Sequence, residues 1–426
     1  MKAKSSKKRL RTSKELWNIV PQYYADAHAA KAEGKLVGWM PPMNGVIEVF
    51  RAMDIFPIMP ENWSPVCAAT GLAPECMEAA ERMGYSRDLC GYLRNAIGYI
   101  HEVMEKPDQP LGGLPAPDLI ISFGGGCIPA MKIFQAFTEK FKAPTFLADS
   151  PQIPPEEITG EVLSFATEHF MELIRWLEDL TGTKLDMDRL KEVIRLSDRA
   201  CELWDEIMDY RRCVPTPFSA AEIGVMFVMV VLPGTQQAID FLEKFRDEVK
   251  ERAENGVGCV PEERFRLFWD NIPLWYNMGI FNYFEKFGAV VVAETYSAAW
   301  SIRLDPEKPI ESLARKSMLS FPLVSNVSLQ NRIDMVLDTC RKYKIDGAIL
   351  HSNKSCKPIS LGQMDVRNAL MEKLEVPSVM FEADHMDVRN WNEAQVKNRL
   401  EAFMDMLHQR KYGTAGARPG NAGAAE

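Results

Sequence analysis

Apolar positions along the chain follow two different rhythms. Short apolar segments at residues 36–40, 55–59, 119–123 and 145–148 have the length of buried parallel strands, with helical patterns such as 77–83 and 131–141 between them. This alternation predicts a doubly wound α/β unit with a parallel sheet. Ahead of it, residues 14–34 read as a helix with Leu16, Ile19, Val20, Tyr23 and Tyr24 on one side and Gly34 as the stop. From 155 to 265 the rhythm changes. The stretches 161–181, 187–210 and 236–253 carry apolar residues at helical spacing without strand punctuation, so a helical segment is expected there. The α/β rhythm then resumes, with strands at 289–293, 348–351 and 378–382 and helices at 327–343, 361–374 and 393–410.

The predicted fold class is α/β, with two doubly wound, flavodoxin- or Rossmann-like parallel-sheet domains and an intervening helical segment. The expected divisions are a basic tail and helix (1–34), a first α/β domain (35–154), the helical segment (155–265), a second α/β domain (266–410) and a disordered Gly/Ala-rich tail (411–426). No internal sequence repeat is evident.

Composition narrows the function. The 426 residues are 46% hydrophobic and 26% charged, which excludes collagen-like, disordered and small disulfide-stapled classes. A formal charge of −9 argues against a dedicated nucleic-acid binder. The basic start at Lys2, Lys4, Lys7, Lys8, Arg9 and Arg11 is followed by Ser13-Lys14-Glu15, not by an apolar stretch, so export is not expected. The longest apolar run, 223–232, is about half of what a bilayer requires and ends at Pro233-Gly234; it reads as buried core, and a cytoplasmic protein without membrane contact is expected. Nine cysteines, an odd number, suggest a reducing compartment with free, catalytic or metal-bound thiols.

No CxxC pair occurs, so position matters more than spacing. Cys127 follows the strand 119–123 and Gly124-Gly125-Gly126; Cys356 follows the strand ending at His351. Both precede predicted helices. They thus lie beyond the carboxyl ends of parallel strands, where open α/β sheets place ligands and helix N-termini favour thiolate. Glycine at 125 and 126 lets the backbone approach a bulky group. Two readings are open at this point: ligands or nucleophiles at a site, or small buried core residues. There is no GxxxxGK[ST] and no GxGxxG, so this chain is not expected to hydrolyse ATP itself. His101-Glu102-Val103-Met104-Glu105 lacks the second histidine of a zinc-protease helix.

Three segments in order carry a family resemblance. They are Arg87-Asp88-Leu89-Cys90-Gly91-Tyr92-Leu93-Arg94, then Ala116-Pro117-Asp118-Leu119-Ile120-Ile121-Ser122 leading to Cys127, then Asp346-Gly347-Ala348-Ile349-Leu350 leading to Asn353-Lys354-Ser355-Cys356. Together they resemble the family of 2-hydroxyacyl-CoA dehydratase subunits and the B and C subunits of ATP-dependent benzoyl-CoA reductases. The resemblance runs from about residue 36 to about 407. It implies that Cys90, Cys127 and Cys356 hold one [4Fe–4S] cluster between two α/β domains, leaving one iron without a protein ligand. It also implies a sister subunit of the same fold, a separate ATP-hydrolysing iron–sulfur activator that injects electrons, and an acyl-CoA substrate. Dehydratases of the family expel a hydroxyl through a ketyl radical; the reductases add electrons and protons to an aromatic ring.

Glu61 matches a carboxylate lying near the cluster in that family and is a candidate acid or base, the alternative being a helix cap. His351 is a candidate proton donor or partner of a cluster sulfur, against a satisfied strand-end histidine. Gly125, Gly126 and Lys354 are candidate cofactor-binding residues. Lys354 and Arg94 could balance cluster charge or meet CoA phosphates, or be surface charges. Trp269, Trp275 and Tyr276 could line an acyl pocket or the core. Cys67 and Cys76 would matter if the chain held a double-cubane cluster. The loop after the first strand, Met40-Pro41-Pro42-Met43-Asn44-Gly45, lacks the serine usual in catalytic dehydratase subunits. With the segments 233–235, 263–267 and 360–363, this favours the reductase branch over dehydration. A non-catalytic electron relay and a cluster-free α/β binding protein are the further alternatives.

Overall fold

The computed structural model describes residues 9–42, 44–124, 127–298, 300–319 and 328–413. Strands β1 (Val37–Trp39), β2 (Phe56–Ile58), β3 (Leu119–Gly124) and β4 (Thr145–Asp149) form a parallel sheet in the order β2-β1-β3-β4. Strands β5 (Phe265–Asp270), β6 (Ala289–Glu294), β7 (Gly347–Asn353) and β8 (Ser378–Ala383) form a second, in the order β6-β5-β7-β8. The predicted fold class is therefore observed. The two orders describe the same winding path, so the chain contains a topological repeat that its sequence does not display. Each sheet reverses direction between its first and third strands, the crevice where such sheets bind ligands.

In the first half, α1 (Leu16–Ala32), α2 (Val46–Ala52), α3 (Pro60–Thr70), α4 (Ala73–Arg82), α5 (Gly91–Gly98) and α6 (Ile128–Phe141) accompany the sheet. The helix expected at 131–141 starts three residues earlier, because Pro129 is tolerated in a first turn. Helices α7 (Gly160–Thr181), α8 (Met187–Tyr210), α9 (Met226–Val231) and α10 (Gln236–Glu254) make up the helical segment. Their apolar stripes, including Leu173, Ile194, Trp204 and Phe245, join one continuous core with Trp39, Phe50 and Ile120 of the first half. The apolar run 223–232 is buried as expected, as a 3-10 turn followed by α9.

The second sheet has a separate apolar cluster on each face, one with the helix α16 (Glu393–Tyr412), the other with α13 (Leu329–Lys342) and α15 (Gln363–Leu374). The short helix α11 (Thr295–Ala298) follows β6 directly, and α14 (Lys357–Ser360) follows β7 after Lys354, Ser355 and Cys356. Helix α12 (Pro309–Leu319) crosses back and packs Leu313, Ala314 and Met318 into the first core.

Two expectations need correction. The expected strands do not include β5, which opens the second α/β region and whose sequence Phe-Arg-Leu-Phe-Trp-Asp is buried throughout. Arg266 is accommodated inside by Tyr343 O at 2.7 Å, Arg211 O at 2.6 Å and an ion pair with Glu263. The tail expected to be disordered from 411 is helical through Tyr412, and residues 414–426 lie outside the described ones, as does the basic start through Lys8. Among the described residues, no helix is long and apolar enough to cross a membrane.

Candidate active site

Cys127 follows β3 and caps α6; Cys356 follows β7 and caps α14. They occupy equivalent places in the two sheets, and both begin a Cys-x-Pro turn. Cys90 caps α5. In each, the backbone N–H three residues on, at Leu93, Ala130 and Ile359 respectively, acts to favour the ionised sulfur.

The three thiols act on one another. Burial, and then the neighbouring Cys127 and Cys356, push the Cys90 thiol well above its ordinary value. Burial raises Cys127 to about 11 and Cys356 to about 12, with Glu61 adding to both. Three such thiols would ionise together only beside compensating positive charge, which an iron–sulfur core held by Cys90, Cys127 and Cys356 would supply. The donor set therefore fits the implied cluster. Among the described residues, no three His, Cys, Asp or Glu groups converge tightly enough for a single metal ion. All nine cysteines are free of disulfides.

The cysteines come from different halves, and a polar seam joins them. The N–H of Gly91 donates to Ser355 Oγ at 3.0 Å, and Ser355 acts to favour the ionised Asp384 carboxylate. Asp384 Oδ1 also accepts from Met386 N at 2.8 Å and Asp387 N at 2.9 Å. A Cβ at position 91 would meet Met386 Cβ at 2.7 Å and Asp384 Oδ1 at 2.9 Å, so this approach requires glycine after Cys90. Beyond it, Arg94 Nη1 reaches Asp387 Oδ2 and Glu81 Oε1, both at 3.0 Å, and Arg389 bonds the same two carboxylates. Arg94 is fully buried, which removes the surface-charge reading and commits its guanidinium to this seam.

Below Cys356, Arg332 Nη2 pairs with Asp270 Oδ2 at 2.8 Å, and Arg332 Nη1 donates to Ile359 O in α14. Thr295 and Gln363 each complete Asp270 at 2.7 Å. Asn271, at φ +86°, donates to Ser360 Oγ at 3.0 Å, and Ser360 donates to Asn353 O at 2.9 Å.

Glu61 sits in the first turn of α3, where burial pushes its carboxyl up to about 7. It faces all three cysteines together with Tyr92 and Tyr296. The indole N–H of Trp275 donates to Tyr92 Oη at 2.6 Å, and Tyr92 and Tyr296 act on each other's hydroxyls. The geometry thus gathers Cys90, Cys127, Cys356 and Glu61, with Trp275 alongside.

The other candidates are placed elsewhere. His351 is buried in β7, with Nδ1 2.9 Å from Ile272 O and its ring stacked on Phe381 at 5.5 Å. Burial lowers its pKa, and none of the three cysteines is among the groups acting on it. Lys354 is half-buried with Nζ 3.4 Å from Asn390 Oδ1. Gly125 and Gly126 lie outside the described residues. Trp269 belongs to the second core, and Tyr276 packs against it and against Trp391. Cys67 and Cys76 are fully buried in the first core and bond each other across α3 and α4, apart from the trio. Sequence reasoning missed Ser355, Asp384, Tyr296 and the Asp270–Arg332 pair. The run Asp384-His385-Met386-Asp387 just past a strand end was the available signal.

A family model described as 2-hydroxyglutaryl-CoA dehydratase, D-component, matches residues 45–407. The alpha subunit of (R)-phenyllactyl-CoA dehydratase from Clostridium sporogenes is 27% identical over 385 residues, covering 90% of this chain and 92% of that subunit. The alpha subunit of (R)-2-hydroxyisocaproyl-CoA dehydratase from Clostridioides difficile is 27% identical over 400 residues, covering 92% of this chain and 95% of that one. The B subunit of benzoyl-CoA reductase from Thauera aromatica is 29% identical over 353 residues, covering 79% of this chain and 80% of that protein.

Proposed function

The chain belongs to the 2-hydroxyglutaryl-CoA dehydratase D-component family, and from that premise we propose that it is the [4Fe–4S]-bearing subunit of an acyl-CoA enzyme of the benzoyl-CoA reductase type. In this reading Cys90, Cys127 and Cys356 hold the cluster, and an aromatic or related thioester is reduced in single-electron steps. The observation that carries it is the mutual influence of three cysteines, each at the start of a helix and drawn from two halves of the chain, together with the half-buried carboxyl of Glu61. When bound, the cluster supplies electrons at low potential. The chain's own residues provide the rest. Glu61, its pKa raised to about 7 by burial, holds a proton beside the reaction volume near neutral pH. Tyr92, held by the Trp275 indole, and Tyr296 place two hydroxyls beside Glu61. The Ser355 and Arg94 seam keeps the two halves closed around the site.

The partners are a sister subunit of the same fold and an ATP-hydrolysing iron–sulfur activator, with the complex working in the cytoplasm. A second reading is dehydration of a 2-hydroxyacyl-CoA. It is favoured by the near full-length match to two dehydratase alpha subunits, against 80% of the reductase protein. Turnover of the anaerobic complex with reduced activator and ATP separates them. Conversion of benzoyl-CoA to a ring-reduced thioester supports the reductase; loss of water from (R)-phenyllactyl-CoA, with benzoyl-CoA inert, supports the dehydratase.

A further inference from the structure

Helix α8 faces strands β5 and β6 and helix α13 across a cavity of about 520 Å³, within the range of small-molecule sites. Three contacts join its two sides. Trp204 Nε1 donates to Ser297 O and Tyr343 Oη to Met208 O, both at 3.2 Å, and Lys342 pairs with Asp209 at 2.6 Å. Neither the site cysteines nor Glu61 line it. Its apolar sides are Trp204, Met208, Phe268, Val292, Met335 and Tyr343. At the buried end Arg211 Nη1 pairs with Glu294 Oε2 at 2.6 Å. That pair is incomplete: Glu294 Oε1, on a side chain 0% exposed, has no partner among the described residues. A buried acceptor in this position calls for a donor.

Charge decides the class of donor. Four carboxylates line the cavity, Asp205, Glu206, Asp209 and Glu294, against two cations, Arg211 and Lys342. Arg211 is taken by Glu294 and Lys342 by Asp209, and Glu206 is met from outside the lining by Arg246 at 2.9 Å. Asp205, at the exposed end, ion-pairs with no cation among the described residues. Its neighbour Arg303 is drawn instead to Asp198 at 2.6 Å and Glu202 at 2.7 Å. Desolvation raises the Asp205 carboxyl above its ordinary value, against Ser301, Arg303 and Lys342. An anion would find no uncommitted cation here, and a neutral ligand would leave Asp205 uncompensated. Asp205 precedes Arg211 by six residues, about 9 Å along a helix axis. A short alkyl chain with an ammonium at each end matches that span, its charges at the two polar ends and its carbons along the apolar sides.

We propose that this cavity binds a small linear diamine. One ammonium pairs with Asp205, the other donates to Glu294 Oε1, and the alkyl chain lies against Met208, Phe268 and Met335. This site is independent of the acyl-CoA reading above.

1,5-Diaminopentane is the probe, beside pentylamine, which lacks the second ammonium, and 1,5-pentanediol, which lacks both charges. Binding is measured calorimetrically on the anaerobically purified full chain with its copurifying partner. The diamine is expected to bind at least ~10-fold more tightly than either comparison compound. Asp205→Asn keeps the side-chain shape and removes the charge. It should weaken diamine binding by about 10-fold and change the diol by less than about threefold. Thr339→Trp, a substitution in the lining that fills the cavity from α13, should weaken the diamine by at least ~10-fold and keeps the test open if Asp205→Asn does not fold. A diamine no tighter than pentylamine or the diol overturns the inference. So does diamine binding unmoved in the folded variants, which would assign it to the general acidity of the chain. Both results leave the acyl-CoA reading standing.

Discussion

Ser355 Oγ accepts the backbone N–H of Gly91 at 3.0 Å across 264 residues of sequence. Each partner is the immediate neighbour of a site cysteine, Gly91 of Cys90 and Ser355 of Cys356. One hydrogen bond therefore ties together the immediate neighbours of two thiols that belong to different halves of the chain. Ser355→Ala leaves a buried N–H unpaired, a cost of about 1–3 kcal/mol. The expected result is a lower denaturation midpoint and faster iron loss to a chelator, with iron still incorporated. Gly91→Ala is predicted to be worse, because its Cβ meets Met386 and Asp384. A Gly91→Ala protein with wild-type iron retention would contradict this role.

The seam beyond that contact is sensitive to acid. Burial acts to raise the Asp387 carboxyl, but bonds from Arg389 and Arg94 outweigh it and hold the value at about 2. A carboxyl depressed in the folded state contributes stability in full above its unfolded value near 4, and that contribution is lost as pH falls toward 2. Asp387→Asn should flatten stability between pH 4 and pH 2. At neutral pH it should cost on the order of 3 kcal/mol, since Arg94 stays buried with less compensation. Denaturant titrations across that pH range check both effects.

Helix 187–210 was legible to the residue, because its apolar stripe is regular and Asp186 caps it. Strand β5 was not, because Arg266 and Asp270 read as surface charges until their buried partners are known. Cys127 and Cys356 could be found from strand ends alone. Cys90 follows no strand directly and was found through resemblance. Ser355, Asp384 and the Arg94 seam act across hundreds of residues, which no local pattern encodes. The topological repeat escaped for a related reason: order in a sheet is a property of packing and leaves little periodic trace.

Asp270 and Arg332 are expected to support Cys356 without touching it. Arg332→Leu removes the donor to Ile359 O and leaves Asp270 buried with fewer partners, a loss of about 3–5 kcal/mol. The thermal midpoint should fall and iron content should drop with it, whereas Arg332→Lys should recover only part of either.

Glu61→Gln should preserve folding, iron content and thioester binding, yet slow turnover at least ~100-fold, the usual scale for removing a positioned acid or base. Steady-state kinetics beside a binding titration test this. Unchanged turnover would assign Glu61 to helix capping alone.

Cys67 and Cys76 provide the contrast to the site cysteines. Cys67→Ser and Cys76→Ser should keep full iron content, because their thiols face each other inside the first core. Loss of iron in either would point to a second cluster.

The most direct test of the central claim is iron and acid-labile sulfide analysis of the anaerobically purified protein, wild type beside Cys90→Ala, Cys127→Ala and Cys356→Ala. The prediction is equal iron and sulfide at the level of one [4Fe–4S] cluster per chain, falling severely in each of the three variants. A colourless wild-type protein, or full iron and sulfide in the combined Cys127→Ala and Cys356→Ala variant, would contradict it.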